Sequence, residues 1–258
     1  MKKIRTKIIF FIYFFINLFN FHLLAAEDVV TKFLNREINE CINCDLSNQN
    51  FKHMDLTNAN LNGSKLINTN FHRAILKGVN FSNTEIFGSN FNKTNLIKSN
   101  FDNADISDTM FYAANLSKSS FKNSKLNRVR SQKAVFTGSD FEKITIENSY
   151  FNETQIASSN LDNAKFLNTN FEKANFQKTK FTNVQSFRTI YSKTKFRKAD
   201  LSFSKFIKTD FFKSSIREVI LNETLFQDTN LLSAKFYKSN KADAKYINCI
   251  MPSGEHIK

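Results

Sequence analysis

From Leu46 onward an apolar residue returns every five positions with no net insertion: Leu46, Phe51, Leu56, Leu61, Leu66 and Phe71 open a series that runs on to Phe236 and Tyr246. Two positions before each stands a small residue, as in Ala59, Ser64, Thr69 and Ala74, commonly with Asn or Asp between. A period of five fits neither the 3.6 of a helix nor the 2 of a strand. A chain that sends residues i and i−2 inward at this spacing must turn a corner after each short extended piece, and such corners stack into a coil. The large residue fills the axis, the small one spares volume beside it, and the remaining polar positions meet water.

Between Leu66 and Leu126 the large residue alternates Leu or Ile with Phe, so the coil holds an even number of repeats. Two repeats would leave no interior. Four place Phe71, Phe91 and Phe111 in one column and Phe81, Phe101 and Phe121 in the opposite one. A chain with Phe 30, Gly 5, Pro 1 and Trp 0 has an unusual way of building a core, one aromatic solution repeated.

This pattern resembles the pentapeptide-repeat family, over Cys41 to Met251. The resemblance implies an all-β fold, a right-handed quadrilateral β-helix with four repeats per coil. At about 4.8 Å per coil the rod would be roughly 50 Å long. The left-handed helix of hexapeptide acyltransferases needs a period of six, which the sequence does not keep.

Four segments follow. Residues 1–26 have a basic start (Lys2, Lys3, Arg5, Lys7), an apolar run from Ile8 to Leu24, and Ala25-Ala26 before Glu27, the layout of a secretory signal peptide cleaved after Ala26. Asn17, Asn20 and His22 weaken the rival reading, an uncleaved membrane anchor, which would be the chain's only contact with a membrane. The cleaved product would be periplasmic or extracellular in a bacterium.

Residues 27–40 carry Val30, Phe33, Leu34 and Ile38 at helical spacing and suit a short capping helix, because a solenoid's end must be covered. Residues 41–251 are the β-helix. In residues 252–258, Pro252 and Gly254 suggest a tail leaving the coil.

Cys41 and Cys44 fall in the large and small inward registers. Three readings stand: a disulfide closing the first coil, which export permits, an inert core pair, or a redox or metal pair. Cys249 occupies a small inward position. Ser131, Ser186 and Lys241 interrupt the large register: the serines are expected to mark bulges, and Lys241 a distorted penultimate coil, since a buried unpaired ammonium is too costly.

Folded at twenty residues per coil, Arg73, Lys93, Lys133, Lys173, Lys193 and Lys213 form a ladder on one edge. Lys98, Lys118, Lys178, Lys198 and Lys238 form one on the next. These are either a solubilising surface or a contact strip for an anionic polymer of the envelope. The lysines show no interleaved aromatic residues, which argues against nucleic acid.

Outward apolar residues Ile67, Phe87, Leu167, Phe187, Ile207 and Ile247 stack on one side, with Tyr150, Ile190, Phe212 and Leu232 on the adjoining one. Phe87, Leu167, Phe187 and Ile207 are the candidate patch for a protein partner or a second copy of the chain, against the plainer reading of an imperfect surface.

Chemistry-bearing constellations are missing. His53 and His72 are placed on different sides of the coil, and the carboxylates of Asp102, Glu142, Glu147 and Glu172 fall on the surface. No phosphate-cradling Gly loop or nucleophile elbow occurs, so neither cofactor nor metal is expected. The sequence therefore reads as an exported, non-catalytic rod serving as a binding or structural scaffold. The alternative, a DNA-mimicking topoisomerase-binding protein as in one branch of the family, requires an acidic surface, whereas this chain carries a formal charge of +14.

Overall fold

The computed structural model describes residues 29–258. The expected period of twenty is the period of the hydrogen bonding. Phe71 N–H donates to Asn90 O (2.8 Å) and Phe91 N–H to Met110 O (2.7 Å), while Asn95 N–H reaches back to Ala74 O (3.0 Å). Each residue thus lies over the one twenty positions on. The result is a right-handed, four-sided parallel β-helix.

One side is a continuous ten-stranded parallel sheet of three-residue strands, from Lys65–Ile67 to Lys245–Ile247. The other sides are held mostly by isolated parallel bridges, such as Asn70↔Asn90 and Asn80↔Asn100. A second short sheet, Ser215–Arg217 with Lys235–Tyr237, forms late in the chain on the side opposite the ten-stranded one.

The corners explain the five-residue unit. At most of them the small residue's N–H bonds the large residue's carbonyl, as in Ala74 N–H to Phe71 O (2.9 Å), and the residue between them has positive φ (Arg73, +58°). This is a type II turn. On the sheet side the turn opens and that N–H loses its carbonyl. A hydroxyl from the next coil takes its place: Thr69 N–H donates to Ser89 Oγ (3.0 Å), and Ser89 Oγ–H donates to Leu66 O (2.6 Å). The same exchange recurs from Val184 to Ser204 and on to Phe181 O. The small inward residue is therefore an internal hydrogen-bonding group as well as a spacer.

The large residues build the two Phe columns in the expected places. Phe71–Phe91 and Phe81–Phe101 stack at 4.7 Å, and the columns meet edge to face at about 6 Å, as in Phe71–Phe81 (6.0 Å). Both geometries suit the ring quadrupole.

The bulges expected at Ser131 and Ser186 do not form. Phe166, Ser186 and Phe206 stay in register, and Ser131 is fully buried in its column. The reason is that neighbouring side chains fill the space. Beside Ser131 the aliphatic column carries Phe136, 5.3 Å from Phe141. Beside Ser186 the ring is Tyr191, whose hydroxyl lies 3.0 Å from Ser186 Oγ. Burial pushes the Tyr191 phenol pKa up and keeps it neutral.

Both ends are covered. Residues 29–34 are helical, and Phe33 is fully buried against Phe51, with ring centroids 6.0 Å apart. At the other end Lys241–Asp243 form a 3₁₀ turn that keeps Lys241 outside, the distortion expected there. The segment expected to leave the coil instead folds back: His256–Ile257 pairs antiparallel with Cys249–Ile250 around Gly254 (φ +93°). The leader, residues 1–26, lies outside the described residues. Among those described, no helix is long and apolar enough to cross a membrane.

The two buried serines should respond oppositely to truncation. Ser131 Oγ has no hydrogen-bond partner among the described residues, so Ser131→Ala should be neutral or stabilising by up to about 1 kcal/mol. Ser186→Ala leaves the Tyr191 hydroxyl alone and should cost about 1–2 kcal/mol. Urea unfolding of the two variants checks the contrast.

Candidate functional site

The interior is closed by side chains, so whatever the rod does is done by its outer columns. Cys41 and Cys44 are exceptions to that surface. They are joined by a disulfide that spans one corner of the first coil (Cα–Cα 5.4 Å), while Cys249 is a free, buried thiol. Ser64 ties this coil to the next, its hydroxyl donating to Cys41 O (2.6 Å) and accepting from Cys44 N–H (3.1 Å). Burial raises the Cys249 thiol pKa, consistent with an unreactive group.

The ladder residues Arg73, Lys93, Lys133, Lys173, Lys193 and Lys213 all occupy left-handed corner positions, with φ between +55° and +62°. Ala113 and Glu153 interrupt the ladder, leaving its unbroken part at Lys173, Lys193 and Lys213. Lys193 binds Glu172 (2.9 Å), a bond that holds the Glu172 carboxyl below the usual range. Three ladder lysines do meet aromatic rings, contrary to the sequence reading: Lys213 Nζ is 4.8 Å from the Phe212 ring, Lys238 Nζ 5.5 Å from Tyr237 and Lys133 Nζ 6.0 Å from Tyr112. Residues i and i+1 share a corner, and i+21 lies beside i, a proximity the linear sequence hides.

The same geometry corrects the histidines. His53 and His72 are not on different sides: their ring centroids are 6.3 Å apart on one corner. Burial first, then Arg73, Lys52 and their neighbours, pushes the His72 pKa down. Among the described residues no group of three or more His, Cys, Asp or Glu could hold a metal ion.

The apolar patch is smaller than its four proposed members. Leu167, Phe187 and Ile207 are direct register neighbours. Phe87 is separated from them by Ser107, Asn127 and Glu147, and pairs with Ile67 instead. Around the three true neighbours lies a shallow open depression of ≈ 370 Å³, edged by Glu147 and Lys205. Arg188 and Lys208 lean over Phe187 at 5.1 and 5.9 Å, so its exposed face is already occupied by cations.

The four corners share one backbone conformation but not one residue type. Two corners take the inexpensive choices for positive φ, Asn and Gly, at many of their positions, with Asn83, Asn103, Asn123 and Asn163 on one and Asn68, Gly88, Asn148 and Asn168 on another; later they hold Phe203 and Glu223, and Arg188, Lys208 and Asp228. The other two carry the lysine ladders, and these flank a single side. The centre of that side is neutral through Asn95, Asn115, Val135, Gln155 and Asn175, then turns basic at Lys195, Arg197, Arg217 and Lys235. Sequence reading found the edges and missed this centre, which the columns at positions 15 and 17 of the twenty-residue frame contain.

The repeat, the coil and the corners together agree with the family models. The pentapeptide repeat region model matches residues 84–161, and the pentapeptide repeats (8 copies) model matches 40–78, 55–92 and 149–184. The chain belongs to the pentapeptide-repeat family. No curated protein matches the sequence.

Among solved structures, the chain is similar to HetL, a pentapeptide-repeat protein involved in heterocyst differentiation regulation from the cyanobacterium Nostoc sp. strain PCC 7120. The identity is 16%, the TM-score 0.35, and 84% of this chain and 91% of that one are covered. Full-length QnrB1, a plasmid-mediated fluoroquinolone resistance protein, is 15% identical at a TM-score of 0.37, over 80% and 93%. A pentapeptide-repeat protein of the Arabidopsis thaliana thylakoid lumen is 24% identical at 0.32, over 40% and 66%.

On the corner that leads into the ten-stranded side, the pentapeptide-repeat rod carries Asp102, Glu142 and Asp162 in one column. Asp162 accepts from Lys180 (2.8 Å) and Thr182 (2.5 Å). Burial pushes its pKa up, but these bonds, with Asn183 and the Lys180 charge, outweigh burial and hold it below the ordinary value. A depressed folded-state pKa contributes stability that is present above the unfolded value and lost as pH falls through the folded one. Asp162→Asn should therefore lower the melting temperature at pH 7, by a margin that shrinks as the pH is taken below the ordinary carboxylate range, as thermal unfolding across that range would reveal.

Proposed function

We propose that the protein is an exported, non-catalytic rod that acts as a binding scaffold in the bacterial cell envelope, offering its outer columns to an anionic polymer or a protein partner. The observation that carries this reading is the Cys41–Cys44 disulfide at the N-terminal end of the coil. A disulfide of this kind persists in an oxidising compartment, and the 26 residues that open the chain have the layout of an export signal.

The form of the molecule supports the scaffold role. Its core is filled throughout by stacked rings and aliphatic side chains, so its function falls to residues repeated at fixed intervals on the outside. The outer carboxylates are engaged in ion pairs and turn hydrogen bonds, as at Asp162 and Glu172, instead of converging on a cleft. A surface with a formal excess of cations opposes mimicry of DNA, which needs the reverse sign.

Fractionation of cells expressing the full chain tests the reading. The expected outcome is recovery from the periplasm or medium, with an N-terminus at Glu27. Alkylation under denaturing conditions should then label one thiol, Cys249, before reduction and all three cysteines after it. Retention in the cytoplasm with residues 1–26 intact and both Cys41 and Cys44 alkylated would end it.

A further inference from the structure

We infer that the C-terminal half of the side framed by the two lysine ladders is a binding lane for an extended linear polyanion lying along the rod axis. The inference rests on the reading of the chain as a binding rod and names the partner's chemistry and the place where it binds.

The first observation is concentration. From Asn95 to Gln177 the centre of this side is uncharged, and from Lys195 on it carries Lys195, Arg197, Arg217 and Lys235. Lys173, Lys193 and Lys213 run along one edge of the same coils; Lys178, Lys198 and Lys238 run along the other. A surface that only kept the rod soluble would intersperse the two signs. Here the acids are few, Glu172 at one edge and Glu218 at the other, and they engage Lys193, Arg197 and Lys198. Lys173, Lys178, Lys195, Lys213, Arg217 and Lys235 make no ion pair among the described residues.

The second observation is the backbone. Lysine at a left-handed corner costs about 1 kcal/mol relative to glycine. From Lys173 on, the two corners flanking this side nevertheless hold Lys173, Lys193 and Lys213 and Lys178, Lys198 and Lys238, with Glu218 their one acid. In the same coils the other two corners mix signs, with Phe203 and Glu223 on one and Arg188, Lys208 and Asp228 on the other.

The third is shape. Where the charge gathers, the side flattens into paired strands, Ser215–Arg217 beside Lys235–Tyr237. Tyr237, half exposed, lies between Arg217 (5.2 Å) and Lys238 (5.5 Å). Parallel rows of ammonium groups at a spacing of about 4.8 Å suit a flexible chain with a negative group on each unit.

The test uses the protein recovered from expressing cells, with long-chain inorganic polyphosphate as the probe and anionic phosphatidylglycerol vesicles as a second arm. One variant reverses the lane (Lys195→Glu, Arg217→Glu, Lys235→Glu). A control reverses three exposed lysines of the opposite side (Lys125→Glu, Lys165→Glu, Lys205→Glu) and so makes the same change in net charge. Circular dichroism confirms that each is folded.

At low salt the lane variant should bind polyphosphate more weakly by about tenfold or more, and the slope of log K against log salt should fall by about 2. The control should change little on either measure. Equal weakening in both variants, absence of polyphosphate binding, or vesicle binding that polyphosphate does not displace would overturn the inference. Recovery of a non-binding protein from the envelope would sink the lane alone and leave the exported rod standing.

Discussion

The hydrogen bond from residue i to the carbonyl nineteen positions on is the interaction from which the rest of this molecule follows. It fixes each residue over its counterpart twenty along, and so turns the one-dimensional repeat into vertical columns of side chains. Once the columns exist, the core is a set of stacks in which a ring meets a ring at 4.7–5.3 Å above and below. A single-residue insertion would shift every later inward side chain to another column, which is why the register runs through the coil with none.

Columns also make the core forgiving in one direction and strict in the other. Along the axis each position can change between Leu and Phe, and a small residue in the large register is filled around by its neighbours, as Ser131 is by Phe136 and Ser186 by Tyr191. The small positions accept Ala, Val and Ile as well, but where one is a serine bridging two coils it holds both a volume and a hydrogen bond. Ser89 and Ser204 accept a bond from the coil before and return one to it. Replacing such a serine by alanine preserves the volume and leaves a buried N–H unpaired.

This distinction sets what could be read from the sequence. The inward registers, the alternating columns, the helix over the first coil and the distortion at Lys241 are all consequences of spacing, and spacing is visible in one dimension. What depends on neighbours in the second dimension was hidden. The sequence marks Ser186 as a gap and gives no sign that Tyr191, five residues on, will reach back to fill it. It lists Phe87 with Phe187 because both share a column, although three polar residues stand between them. It separates His53 from His72 although the corner brings them together. The return of His256–Ile257 to the last coil was equally unreadable, since that pairing is antiparallel and outside the repeat.

The functional signal in a solenoid lies in what neither packing nor backbone demands. Inward residues answer to the columns, and corner residues answer to a positive φ that Asn and Gly meet at least cost. A corner that holds Asn through successive coils therefore carries no information beyond the fold. A corner that holds lysine at the same φ does, and more so where the centre of the side turns basic in the same coils. The same criterion discounts Phe87, whose one apolar register neighbour is Ile67 and whose other is Ser107. It also discounts Phe187, whose ring is covered by Arg188 and Lys208. Judged this way, the chemistry of the rod is unevenly distributed along its length. The N-terminal coils bear the disulfide, and the later coils carry the basic centre that distinguishes one of the four sides.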